Sequence, residues 1–155
     1  MMKKDFLTIR DFTREEILGT LKLATDMKSH PQNYASALKG KTLAMIFEKP
    51  SLRTRVTFDV GIHQLGGFSV SLLPMEISLG KRESIHDVAK NLERMVQAIM
   101  IRTFSHQIVV DMARFASIPI INGLTDYSHP CQALADFLTI QEVKGDLRGL
   151  KLCFV

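Results

Sequence analysis

The chain has 155 residues, 46% of them hydrophobic and 23% charged, with a formal net charge of +4. That balance describes a soluble globular protein of one domain, or one domain and the beginning of another, long enough to bury a core without staples. It excludes a disulfide framework or a zinc module, because the two cysteines, Cys131 and Cys153, stand alone.

Thr13 opens T-R-E-E, a capping box with Glu16 at the third helical position. Ile17, Leu18, Leu21, Ala24 and Met27 follow at helical spacing, and His30-Pro31 ends that helix. Residues 42–47 are an apolar run of strand length. A helix is predicted over 54–65, closed by Gly66-Gly67. Residues 68–73 read as strand and 74–82 as loop. A helix over 84–96 puts Ile85, Val88, Ala89, Leu92, Met95 and Val96 on one side. A strand over 98–101 runs into Arg102, a helix spans 106–116, a short strand 119–121 and a helix 130–142. KLCFV, residues 151–155, follows the turn-rich KGDLRG and begins a further strand. Strands alternate with helices, which predicts an α/β fold: a parallel sheet flanked by helices on both faces, cut at the start of a second α/β domain. An isolated strand is not stable, so the natural protein is expected to continue past this point.

The positive balance points to an anionic partner. Lys and Arg are scattered, Trp is absent and only two Tyr occur, which is not the pattern of a nucleic-acid binder. No apolar run reaches the ~18 residues of a membrane span. The opening MMKKDFLTIR lacks an apolar signal core, and a cytoplasmic setting is expected.

The candidate chemistry lies at strand ends, where open α/β sheets bind ligands. EKPSLRTR follows the first strand. Ser51, Arg53 and Thr54 there open a helix, and hydroxyls, a guanidinium and free N–H groups are the parts of a phosphate cradle. The alternative is that Ser51 is only a cap and the arginines are solvated. Arg102 ends the third strand, and a plain surface arginine is its alternative. In S-H-P-C-Q, Pro130 suits the first helical position, so His129 is the cap and Gln132 the third helical residue. Both then reach one point in front of the helix, unless Gln132 bonds back to the cap backbone. Cys131 reads as packing, with no activating base evident. Gly40-Lys41-Thr42 is not a P-loop, since position 35 is Ala and the segment precedes a strand. No G-x-G-x-x-G occurs.

FEKPSLRTRVTFDVGIHQLGG, IMIRTFSHQ and DYSHPCQALADFLTIQE together resemble the N-terminal half of the aspartate/ornithine carbamoyltransferase family. The resemblance runs from Phe6 to Val155, and the paired S-x-R-T-R and H-P-x-Q motifs carry it. It implies a carbamoyl phosphate-binding domain over 1–145, including most of an interdomain helix. Residues 146–155 would be the first strand of an amino-acid-binding domain. It implies carbamoyl transfer from carbamoyl phosphate to the side-chain amine of L-ornithine, giving L-citrulline and phosphate, with no cofactor or metal. FEKPS and ALADF favour ornithine; an aspartate or other amine acceptor stays open, as does a non-catalytic binding and trimerisation module.

By the same resemblance, Ser51, Arg53, Thr54 and the backbone N–H of Leu52 bind phosphate. Arg102 touches phosphate and carbonyl oxygen, and His129 and Gln132 hold the carbamoyl group. Ser78, Lys81 and Arg82 would act from a neighbouring subunit of a homotrimer or a multiple of trimers. Leu52 departs from the family's usual Thr, a loss of one hydroxyl worth ~1 kcal/mol. S-L-G-K, from Ser78, looks more like the aspartate enzymes.

Overall fold

The computed structural model describes residues 3–73, 77 and 83–153. TLAMIF forms β1 (Thr42–Phe47), in which five of six positions are buried. An uncharged apolar strand of this kind belongs inside a sheet with both faces covered. It pairs in parallel with β2 (Phe68–Leu72) on one side and β3 (Ala98–Arg102) on the other. β4 (Ile120–Leu124) extends the sheet beyond β3, and the order is β2-β1-β3-β4. Phe6 covers the outer edge of β4: its N–H donates to the Ile120 carbonyl and its carbonyl accepts from Asn122 N–H, both at 2.8 Å.

Five α-helices complete the described fold: α1 (Arg14–Ser29), α2 (Leu52–Gln64), α3 (Ile85–Leu92), α4 (His106–Phe115) and α5 (Pro130–Lys144). Right-handed crossovers running in opposite directions from β1 put helices on opposite faces. Alternate residues of β1 serve those faces. Leu43, Met45 and Phe47 cluster with Phe58 and Ile62 of α2. Ala44 and Ile46 share the larger cluster with Val88 and Ala89 of α3 and Val109 and Met112 of α4. Thr13 and Glu16 exchange the two bonds of the predicted capping box, at 3.3 and 2.8 Å. α1 meets α5, where Lys28 pairs with Glu142 at 2.6 Å. No helix among the described residues is long and apolar enough to cross a membrane.

Differences from expectation are local. α3 ends at Leu92 rather than at 96. The Glu93 carboxylate accepts from Ser117 N–H at 2.6 Å, and the chain turns there while Met95 stays 64% exposed. β4 takes in Asn122 and Gly123, read from sequence as the start of a loop. A Cβ at Gly123 would run into the Met100 sulfur, so any other residue there requires the buried Met100 side chain to shift. Residues 151–153 form neither helix nor strand, and 154–155 lie outside the described residues. The loop read at 74–82 also lies outside them apart from Ile77, and with it Ser78, Lys81 and Arg82.

Candidate active site

The chain leaves β1 for β2 and then returns to β3 on the other side of β1. Loops leaving the carboxyl ends of β1 and β3 therefore diverge to opposite faces and open a crevice, the usual ligand site of such sheets. Phe47 and Arg102 are register partners, so the segments after them start side by side. Glu48 N–H donates to the Arg102 carbonyl at 2.8 Å, and the buried Thr103 hydroxyl donates to the Glu48 carboxylate. Lys49 pairs with Asp126 and lies 4.5 Å from the centre of the Phe104 ring. Loops after β1, β3 and β4 are thus bound to one another.

Ser51 caps α2: its Oγ accepts from Thr54 N–H at 3.2 Å. Accepting leaves its O–H free to donate, so the cap and cradle readings are compatible. The helix start adds free N–H groups and a partial positive charge. Leu52 is 81% exposed, in place of the hydroxyl expected there. Arg53 is exposed, and its side chain has no hydrogen bond or ion pair among the described residues. A cleft of about 360 Å³ beside Glu48, Ser51, Leu52 and Arg55 opens at this turn.

Arg102 reaches from β3 to α2, its Nη1 donating to Thr54 Oγ1 at 3.3 Å. The β3–β4 ladder shifts register between Ile101 and Arg102, where β4 carries one extra residue, Gly123. Its Nε–H is buried without a partner among the described residues. Burial holds the guanidinium below its ordinary value, but it stays protonated. A surface arginine would show neither feature.

His129 caps α5, its Nδ1 accepting from Gln132 N–H at 3.4 Å, with Pro130 at the first helical position as the sequence predicts. Acceptance at Nδ1 places the proton of the neutral ring on Nε2. Burial and then the Arg102 charge lower the His129 pKa, against a smaller opposing effect of Asp136. The imidazole is thereby a neutral N–H donor at pH 7. The Gln132 side chain neither returns to the cap backbone nor joins the His129 ring: its carboxamide donates to Asp136 Oδ1 at 2.9 Å along the exposed face of α5. Cys131 Sγ donates to the Asn122 carbonyl at 3.5 Å, and burial pushes the thiol up to about 11, which fits packing rather than attack.

The structure thus joins Thr54 to Arg102, and the Arg102 charge bears on His129. It leaves Arg53 and Gln132 pointing to no common partner. Sequence reasoning missed Asn122 and Thr125, which are buried behind the His129 turn. The only signal was a polar residue at the end of the apolar run IPII. A cleft of about 600 Å³ beside Met27, Tyr34 and Leu65 lies by the carboxyl end of α2, away from these groups. Among the described residues no three His, Cys, Asp or Glu side chains gather as a metal site requires.

Residues 4–142 match the family model described as "Aspartate/ornithine carbamoyltransferase, carbamoyl-P binding domain". An ornithine carbamoyltransferase of Anoxybacillus flavithermus is 56% identical over 154 residues, covering 98% of this chain and 49% of that protein. The solved ornithine carbamoyltransferase of Pyrococcus furiosus superposes with a TM-score of 0.93 at 46% identity, over 96% of this chain and 48% of the other. A mutant N-acetyl-L-ornithine transcarbamylase, solved with carbamyl phosphate and N-succinyl-L-norvaline, gives a TM-score of 0.87 at 37% identity, over 96% and 51%. The chain spans about half the length of these relatives. With its fold, its rim of donors and these matches in agreement, the chain belongs to the aspartate/ornithine carbamoyltransferase family, as its carbamoyl phosphate-binding domain.

Proposed function

We propose that this chain supplies the carbamoyl phosphate half-site of an ornithine carbamoyltransferase. The observation that carries the reading is the bond from Arg102 to Thr54 at the point where the sheet order reverses, with the Arg102 charge also bearing on His129. Phosphate oxygens are taken by the α2 start, through Ser51, the Leu52 N–H, Arg53 and Thr54. Arg102 bridges phosphate and carbonyl oxygen. The neutral His129, with Gln132 after a turn of its side chain away from Asp136, holds the carbamoyl group.

In the transfer, a neutral amine nitrogen bonds to the carbonyl carbon while the carbon–oxygen bond to phosphate breaks. The electron pair leaves with phosphate, and the amine proton is released. Charge grows first on the carbonyl oxygen and then on the departing phosphate, and fixed cations and N–H donors aimed at both lower the barrier. Holding both substrates in line supplies much of the remainder. The acceptor is assigned as L-ornithine, giving L-citrulline, because the ornithine enzymes of other organisms resemble this chain along nearly its whole length.

The domain division follows: 1–145 as the carbamoyl phosphate domain and 146–155 as the first segment of an amino-acid domain. Ser78, Lys81 and Arg82 are assigned to a neighbouring subunit's site in a trimer. Alone, the 155-residue chain binds carbamoyl phosphate without useful turnover, being about half as long as its relatives. Calorimetry of this chain with carbamoyl phosphate and sedimentation equilibrium test binding and assembly. A full-length protein containing the chain, assayed against ornithine, N-acetylornithine and aspartate, tests the acceptor. Preference for aspartate defeats the ornithine assignment, and citrulline formation by the 155-residue chain defeats the half-site.

A further inference from the structure

His129 is only as well placed as the turn before it, and residues 125–128 there have no helix or strand of their own. Two buried polar side chains fix that turn. Asn122 is fully buried. Its Nδ2 donates to the Leu7 carbonyl at 2.8 Å and lies 3.3 Å from both the carbonyl and hydroxyl oxygens of Ser128. Its Oδ1 accepts from Leu124 N–H at 2.9 Å. Thr125, also buried, accepts at Oγ1 from Ser128 N–H at 3.3 Å and donates its own N–H to the Ser128 carbonyl at 3.0 Å. His106 Nδ1 lies 3.0 Å from the same hydroxyl.

Ser128 is therefore gripped from the sheet on one side and from its own turn on the other, and His129 is the next residue. A carboxamide inside an apolar strand is costly unless fully bonded. Here its bonds run to Leu7 and Ser128, so its satisfaction is conditional on the turn being in place. The Asn122 carbonyl also accepts from Cys131 in the first turn of α5, which closes the ring around His129.

We propose that Asn122 and Thr125 are positioning residues for His129: they lock Ser128 against the sheet and the N-terminal segment, and so fix the imidazole at the start of α5. The proposal rests on the half-site reading above for its consequence, weaker ligand binding, but its geometry stands without any ligand. Both side chains act through Ser128, because burial keeps them from touching a substrate themselves.

The test is the pH titration of the His129 imidazole by NMR in the 155-residue chain, with carbamoyl phosphate calorimetry beside it. The charged groups bearing on that ring are Arg102 and Asp136. Thr125→Val keeps the side-chain shape and removes the hydroxyl; Asn122→Ala removes the carboxamide. In each folded variant the His129 midpoint is expected to rise toward its ordinary value, and carbamoyl phosphate to bind about tenfold more weakly. Thr125→Ser restores both, which a general loss of stability would not do. If Asn122→Ala fails to fold, Thr125→Val and its Ser rescue decide the matter. An unchanged midpoint and affinity in folded Thr125→Val overturn the proposal. If the unaltered chain binds no carbamoyl phosphate, the half-site reading fails, and the ligand-free titration still decides the positioning claim.

Discussion

Two helix starts bear on Arg102, α2 through its bond to Thr54 and α5 through the charge felt at His129, and they are built differently. The α5 start is fastened: His129 follows a turn tied to Asn122, Thr125, Leu7 and His106. Among the described residues the α2 start is held by the bond from Thr54 N–H to Ser51, by the Arg102 guanidinium, and through Glu48 and Lys49 just before it. Beyond that it projects Leu52 and Arg53 into solvent. A rigid neutral donor on one side and a looser cationic turn on the other suit a ligand with a small neutral end and a large anionic end. The carbamoyl group asks for placement, and the phosphate asks for charge and N–H groups that close on it.

The sharpest way to break this division is to remove the residue shared by both starts. Arg102→Ala in a full-length protein containing the chain is expected to cost about 3–4 kcal/mol in transition-state stabilisation, the scale of a lost oxyanion donor, measured as kcat/KM. It should also raise the His129 midpoint, since the Arg102 charge is the second cause lowering it. Arg53→Ala is expected to cost about 2–3 kcal/mol in kcat/KM by the same reasoning. It should leave the His129 titration where it was, because Arg53 bears only on the looser start. Near-normal turnover in either variant removes that residue from the site.

Ser51→Ala separates capping from binding. Loss of the cap is expected to lower stability by about 1 kcal/mol in urea unfolding, as Thr13→Ala should at the capping box of α1. Only Ser51→Ala should also weaken carbamoyl phosphate binding; equal affinity in the two variants would leave Ser51 a cap alone. The smallest expected effect is on pH dependence. The folded value of His129 lies below its unfolded one. Between the two, the unfolded chain binds more protons. The stability contributed by the neutral ring is therefore present above about pH 6.5 and is lost as pH falls through the folded value. Urea unfolding at about pH 7.5 and about pH 5.5 should show a larger loss in the unaltered chain than in His129→Gln.

What could be read from the residues alone follows the same division. β1 was placed residue for residue, because an uncharged apolar run between Lys41 and Glu48 leaves the chain no other strand to form. α5 was placed from Pro130, since a proline fits only the first turn. The α3 end was overrun because Glu93 turns the chain through a bond to Ser117, twenty-four positions away. Asn122 and Thr125 were unreadable for the same reason: their partners Leu7 and His106 become neighbours only once β4 is in the sheet. The Asp136 partner of Gln132 is legible in the sequence, as an i,i+4 pair on one helix face.

A crystal structure of the chain with carbamoyl phosphate bound tests whether one anionic metabolite lodges between these two helix starts. The phosphate is expected on the N–H groups of α2, the Arg102 guanidinium turned from Thr54 to the ligand, and the carbamoyl group against His129. Ligand seated beside Met27 and Tyr34, with Arg102 still bonded to Thr54 alone, contradicts that placement.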